Sequence, residues 1–401
     1  MQNSYKTIIV GGGASGLLCA VELLSGETAL NGKDVCIIER TDRVGKKLIA
    51  TGNGQGNLCN ANFSLDFYHG ENGFIRIFAD LAEKINLRNY LENLGVPLTV
   101  AKDGKIYPLS KQASSVLDVI RAFLEDKGVV VITDTKIEKI TEKDGLFTLF
   151  SDNKKFYAEK VVLAVGGKSA KQFGTDGSSY SLATSFGHKL TELYPSLVQL
   201  KTDLTNIRGL KGLKETVKLT AYDGERELKS SAGEILFTEY GVSGNAVFQV
   251  SGYLTDVKNP KLKVEFLPEY TKEEVENMLA FRESKGYFKG ELLLAGIVNK
   301  RIGQAVVKSA NSKGAKQIAH ALKNFVLTVV GDLGFNYSQV TKGGIQTSSV
   351  NPFTMESKLA RNLYLTGEVL DVDGDCGGYN LTFAFVSGIL SARAIKSKFT
   401  K

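Results

Sequence analysis

Gly11, Gly13 and Gly16 are the first residues in the chain whose types and spacing could do chemistry, and the chemistry is that of backbone N–H groups. They follow the apolar run Thr7-Ile8-Ile9-Val10, which suits a buried parallel strand. Leu17, Leu18, Val21 and Leu24 then fall on one face of a helix. In such a turn Gly11 permits the sharp reversal, Gly13 lets a pyrophosphate approach the backbone, and Gly16 allows close helix–strand packing. The free N–H groups of the helix start attract phosphate charge. A second strand, Val35-Cys36-Ile37-Ile38, ends in Glu39, whose carboxylate can accept from both hydroxyls of an adenosine ribose. An isolated GxGxxG is weak evidence. A strand before it, a helix after it and an acid at the next strand end together indicate a dinucleotide site.

The chain beyond Glu39 departs from a simple NAD domain. Residues 40–60 form a long stretch rich in Gly, Asn and Lys, where an NAD domain would proceed to its next helix. Such a loop can wrap a larger cofactor with backbone and amide donors. Lys160 to Val165 reads as another buried strand, closed by Gly166-Gly167, where missing side chains let a ligand approach the sheet. The segment from Thr135 to Ile140 could set backbone groups beside an adenine, with bland β packing an equal account of Ile137. Far along the chain, Asn362 to Thr366 reads as a strand ending in Gly367-Glu368. After it come the acidic, glycine-rich run Val369 to Asn380 and an apolar helix from about Leu381 to Ile395. That helix would aim its N-terminal dipole at a flavin pyrimidine. The acidic run lacks the ligand spacing of a calcium loop.

Four blocks carry a resemblance that spans essentially the whole chain: IIVGGGASGLLCA, GKKLIATGNGQGNLCNAN, VVLAVGGKSAKQFGTDGSSYSLATSFGH and LYLTGEVLDVDGDCGGYNLTFAFVSG. The sequence resembles the bacterial flavoproteins called aminoacetone oxidase-like, a family that also includes a bile-acid reductase. The resemblance implies noncovalent FAD. Carried over position by position, the cofactor-binding set is Gly11, Gly13, Ala14, Ser15, Gly16, Glu39, Arg40, Lys46, Thr51, Gly52, Asn57, Leu58, Asn60, Ile137, Ala164, Gly166, Gly167, Gly367, Glu368, Gly378, Tyr379 and Asn380. Two blocks depart from the family's form. GNGRCNxTN has Gln55, Gly56 and Cys59 in place of Arg, Cys and Thr, and FTHxGxSGPA becomes a run with Glu239 for His and Asn245 for Pro. These changes bear on the substrate and the proton donor rather than on the cofactor. Tyr379 and Glu239 are candidates for acid–base work by motif position only, and no catalytic side chain is assigned.

The elements that must position these residues give an α/β fold: a Rossmann-like, glutathione-reductase-like FAD-binding domain split in sequence. Its two parts are residues 1–192 and 335–401. Between them, alternating apolar and polar runs over 193–270 predict an inserted antiparallel barrel or sandwich. Residues 271–334 predict a small helical domain, opened by a Thr271/Glu274 capping box and including a helix over 318–330. The inserted domains are expected to cover the flavin.

Composition narrows the function classes. The 401 residues are 43% hydrophobic and 23% charged, with a net charge of +7 that is spread rather than clustered. Clustered phosphate-binding Lys/Arg is absent, so no nucleic-acid partner is expected. Cys19, Cys36, Cys59 and Cys376 form no short pair and only three histidines exist, against zinc and a dithiol motif. Cys59 and Cys376 lie inside cofactor blocks, where a redox pair is conceivable but buried structural thiols fit better. No signal segment or bilayer-length apolar run is read, so a soluble cytoplasmic protein without a membrane partner is expected. One dinucleotide fingerprint is present, not two. The expectation is an FAD-dependent oxidoreductase moving hydride between a small organic substrate and flavin N5. Two forms stay open: an aminoacetone-like amine oxidase producing peroxide, and a reductase with NAD(P)H as transient donor. A flavin-containing RNA-binding or RNA-modifying protein is the rival from another class.

Overall fold

The computed structural model describes residues 3–152 and 154–399. They divide into two compact units. One takes the chain up to Tyr194 and again from Val340, and the other is Pro195–Gln339.

The first unit is built on a mixed sheet. Its strands are β1 (Ser4–Val10), β2 (Val35–Ile38), β3 (Val130–Ile132), β4 (Lys139–Lys143), β5 (Leu146–Ser151), β6 (Lys154–Leu163) and β7 (Leu363–Leu365). The order is β3-β2-β1-β6-β5-β4. β6 shares one edge between two partners: its first half pairs antiparallel with β5, and its last three residues pair parallel with β7. β1, β2 and the end of β6 are buried on both faces, which their unbroken β-branched runs require. β5 alternates, as a strand with one covered face should. The parallel strands finish at a common edge. There Gly11 N–H donates to Ile38 O (2.8 Å), Ala164 N–H to Val10 O (2.9 Å) and Thr366 N–H to Leu163 O (3.0 Å).

Two helices back this edge. α1 (Ala14–Leu23) is buried from Ser15 to Leu23, and α2 (Tyr379–Phe399) packs along it. Their contact depends on missing side chains, because a Cβ on Gly388 would lie 2.3 Å from Ser15 O. At the far end of the pair, buried Glu22 accepts from Arg393 Nε and Lys396 Nζ, each at 3.1 Å. A buried carboxylate needs such partners.

The second unit is a closed antiparallel barrel running Leu200–Thr202, Gly241–Ser243, Arg226–Phe237, Lys214–Asp223, Pro260–Phe266, Phe325–Asp332 and back to the first strand. Helices Lys272–Ser284, Lys300–Ala310 and Ala315–Lys323 share its hydrophobic core. The capping box is formed: Glu274 N–H donates to Thr271 Oγ1 (3.2 Å) and Thr271 N–H to Glu274 Oε2 (2.7 Å). The helix expected over 318–330 ends instead at Lys323, and Phe325–Asp332 is a strand. Phe325, Leu327 and Val329 point inward while Val326 and Val330 are exposed, a period of two that the β-branched residues support. The strand closes the barrel, and that tertiary demand overrides the helical reading.

Candidate functional site

The loops after β1, β2, β6 and β7 lie at one end of the parallel strands, where open α/β sheets bind ligands. The three glycines there have separate steric roles. Gly11 has φ +106°, and a Cβ on it would lie 2.3 Å from Ala164 O. A Cβ on Gly16 would lie 2.0 Å from Gly11 O. A Cβ on Gly13 would meet nothing within 4 Å, so this position faces open space. Gly13 is also the N-cap of α1, with no side chain capping the helix and no acid in its first turn. Uncapped N–H groups and a positive helix end suit an anion. The Ser15 hydroxyl is occupied elsewhere, donating to Thr366 Oγ1 at 2.6 Å.

Glu39 ends β2 half-buried, with its carboxylate fixed from two sides. Gly12 N–H donates to Oε2 and Thr41 N–H to Oε1, both at 2.8 Å. Each oxygen keeps a second lone-pair site for a ribose hydroxyl. Glu39 O accepts from Thr135 N–H (3.0 Å), which brings the segment leading to buried Ile137 beside it. Arg40 forks onto Asp176 at 2.7 and 2.9 Å, and the guanidinium holds that carboxyl well below the usual carboxylate range. Its charge is therefore already paired. Lys46 likewise pairs with Asp42. The neighbouring Lys47 reaches inward instead, with Nζ 2.6 Å from Glu368 Oε2. Glu368 Oε1 accepts from Thr341 N–H (2.9 Å), and a Cβ on Gly167 would press on both residues. Lys47 and Thr341 escaped the sequence reading. Lys47 sits inside the loop already singled out, whereas Thr341 belongs to no motif.

The second and last blocks meet across more than three hundred residues of sequence. Asn57, its amide oriented to satisfy both neighbours, donates to Cys59 O and accepts from Gly378 N–H at 3.2 Å each. Asn60 Nδ2 donates to Gly377 O (2.9 Å). Gly378 has φ +98°, and a Cβ on it would lie 2.7 Å from Cys59 O. Asn380 clamps its own loop, accepting from Gly374 N–H (2.8 Å) and donating to Gly374 O (2.6 Å). Tyr379 stacks on Phe67 with ring centroids 4.6 Å apart and donates to Asn62 O (3.0 Å). Thr51, Leu58, Ala164, Gly166 and Gly367 serve the backbone course: Thr51 Oγ1 caps Leu48 O (2.7 Å), Leu58 and Ala164 are buried, and Gly166 and Gly367 take positive φ. Gly52 also takes positive φ and lies exposed.

The remaining chemical candidates do less. All four cysteines are free thiols, and burial pushes Cys59 and Cys36 up to about 12, so they stay protonated. Burial also pushes Tyr379 up to about 12. Glu239, in the second unit, is exposed and ion-paired with Lys211, which lowers its pKa and makes it a poor proton donor. Among the described residues no helix is long and apolar enough to cross a membrane.

Known proteins resemble this chain in both sequence and fold. A protein-family model described as HI0933-like protein Rossmann domain matches residues 5–394. A 3-dehydro-bile acid delta(4,6)-reductase from Clostridium scindens is 36% identical, with 96% of this chain and 98% of that protein covered. A ribosomal RNA dihydrouridine synthase from Haemophilus influenzae is 26% identical, with coverage of 98% and 99%. Among solved structures, 3-ketosteroid-delta4-(5alpha)-dehydrogenase from Rhodococcus jostii RHA1 superposes with a TM-score of 0.52 at 15% identity, covering 98% of this chain and 97% of that one, which speaks to the fold alone.

Proposed function

The chain belongs to the HI0933-like Rossmann-domain family, and on that premise we propose that it is an FAD-dependent reductase of a carbon–carbon double bond conjugated to a carbonyl. The observation that carries the reading is the 36% identity, over nearly the full length of both chains, to a reductase named for two such bonds in a 3-oxo steroid acid. A dihydrouridine synthase performs the same type of addition, because the uracil C5–C6 double bond is conjugated to a carbonyl.

The residues present fit FAD. Open space at Gly13, the uncapped start of α1 and the fixed Glu39 carboxylate suit the ADP half. Backbone N–H groups of Gly13, Ala14 and Ser15 would hold the pyrophosphate, and Glu39 the ribose, with Ile137 near the adenine. Glu368, oriented by Lys47 and Thr341, would hold the ribityl hydroxyls. Asn57, Asn60 and the turn Gly378-Tyr379-Asn380 would border the ring, where the positive end of α2 favours negative charge. When bound, FAD supplies two-electron chemistry at the level of hydride. The chain's own contribution is to fix these dipoles in advance and to limit water.

The closeness to dihydrouridine synthases supports a second reading, in which the reduced bond belongs to a uracil base in RNA. Anaerobic NAD(P)H reduction of the FAD-loaded protein, followed by mixing with either a 3-oxo-4,6-diene steroid or unmodified ribosomal RNA, separates the two. Return of the oxidised flavin spectrum with the steroid supports the first reading. Return only with RNA supports the second. Reduction by aminoacetone, with reoxidation by oxygen alone, would exclude both.

A further inference from the structure

Adding hydrogen across a conjugated double bond takes a proton as well as a hydride. The groups expected along the cofactor are poorly suited to give that proton. Glu368 is ion-paired with Lys47, and Tyr379 already donates to Asn62 O. A buried carboxyl inside the last block has neither of those ties. Asp373 is only 4% exposed and lies in the short strand Val372–Gly374, directly opposite His69 of the antiparallel strand Tyr68–Gly70. Opposed residues of an antiparallel pair present their side chains on one face. His69 Nε2 is 2.8 Å from Asp375 Oδ1, and Asp375 N–H continues the ladder by donating to Phe67 O (2.8 Å). The Asn380 clamp on Gly374 fixes this strand to the first turn of α2.

The Asp373 carboxyl makes no hydrogen bond among the described residues. The charges that face it are His69 on the opposed strand, Lys342 on the neighbouring strand Val340–Lys342, and Asp371 and Asp375 on either side in sequence. His69 and Lys342 favour its ionised form and the two aspartates oppose it, but burial dominates and pushes its pKa up to about 6. His69, opposite Asp373 in the strand pair, has a side chain 28% exposed and so reaches water.

We propose that Asp373 is the proton store of this site, with His69, oriented by Asp375, as the group that refills it. The proposal rests on the reductase reading. In the step it describes, the substrate π bond breaks. One carbon receives the hydride and its electron pair from the reduced cofactor, and the π pair on the other takes the proton from the Asp373 carboxyl. The carboxylate left behind is reprotonated from solvent through His69.

The test uses FAD-loaded wild type, Asp373→Asn and His69→Gln, with a 3-oxo-4,6-diene steroid as probe and thermal melts at pH 5 and pH 8. For Asp373→Asn, reoxidation by the probe is expected to slow about 100-fold more than reduction by NAD(P)H, the usual size of a lost general acid. His69→Gln is expected to keep single-turnover reoxidation and to slow continuous turnover. Because the folded pKa of Asp373 is raised, its ionisation costs stability as pH rises through about 6. Asp373→Asn should therefore melt higher than wild type at pH 8, with the difference narrowing at pH 5. Equal loss of stability at both pH values would make the carboxyl a structural partner and overturn the proposal. An unaltered reoxidation rate would overturn it too. If wild type reduces no probe, the reductase reading falls, and the melts still decide whether Asp373 is an ionising store.

Discussion

A methyl group on Gly13 would enter open space, whereas one on Gly16 would lie 2.0 Å from Gly11 O. The two glycines should therefore fail differently. Gly13→Ala is expected to leave the apoprotein melting temperature within about 2 °C of wild type while weakening FAD at least about tenfold. Gly16→Ala is expected to cost about 1–3 kcal/mol of stability, because a backbone must move to admit the methyl group. Melts of apoprotein and fluorescence titration with FAD distinguish the outcomes. Glu39→Gln would turn an amide NH2 toward one of two backbone donors, and about 1–3 kcal/mol should be lost at the turn and in FAD affinity. His188 gives a pH prediction. It is buried between Ser349 Oγ (2.7 Å) and Ser357 Oγ (2.8 Å), and burial lowers its pKa. Its neutral form is favoured in the fold, so stability present above about pH 6.5 is lost as the pH falls below it. His188→Gln should flatten that part of the melting profile. At this scale the sequence singles out the glycines and Glu39 as candidates, because the roles expected of them follow from spacing. It could not distinguish Lys46 from Lys47, because which of two adjacent lysines turns inward depends on the loop's course.

The short elements around α2 behave as a joint. Asn380 holds Gly374 through two hydrogen bonds, and Asn57 and Asn60 tie the second block to Gly377 and Gly378. Asn380→Ala removes both bonds of the clamp and should cost about 1–3 kcal/mol. Faster hydrogen exchange over 372–380 and weaker FAD retention are the expected readouts, with the melt of the second unit unchanged. The glycine-framed strands and the two long helices were legible because buried parallel strands and apolar helices carry strong local patterns. The strand Phe325–Asp332 was not. Its run of apolar residues fits either period, and the vacancy in the barrel between Pro260–Phe266 and Leu200–Thr202 is what selects a strand. Thr341, similarly, gains its place at Glu368 only from the strand that carries it back beside the loop after β6, where it accepts from Lys168 and Ser169 N–H.

The first unit is discontinuous in sequence yet nearly closed in space. Thr191 N–H donates to Gly344 O (2.9 Å), and Leu190 bridges Ile345, so its two segments meet within the unit. A chain with residues 195–339 replaced by a short Gly/Ser linker is expected to bind FAD, and residues 195–339 expressed alone are expected to melt cooperatively around their own core. Failure of the linked chain to take up FAD would mean that the second unit contributes to the cofactor site. The expectation of a split dinucleotide-binding part comes from the cofactor blocks that stand at both ends, whereas the two insertions expected over 193–270 and 271–334 share one core within Pro195–Gln339. The substrate could not be read from sequence, since the family's motif residues in the insertion are replaced here by Glu239 and Asn245. An anaerobic visible spectrum of the purified protein tests the flavin-dependent reduction most directly. A noncovalent flavin band near ~450 nm is expected, bleached by NAD(P)H and restored without oxygen by a conjugated enone or by uridine-bearing RNA. A protein that carries no flavin and binds none when FAD is supplied would contradict it.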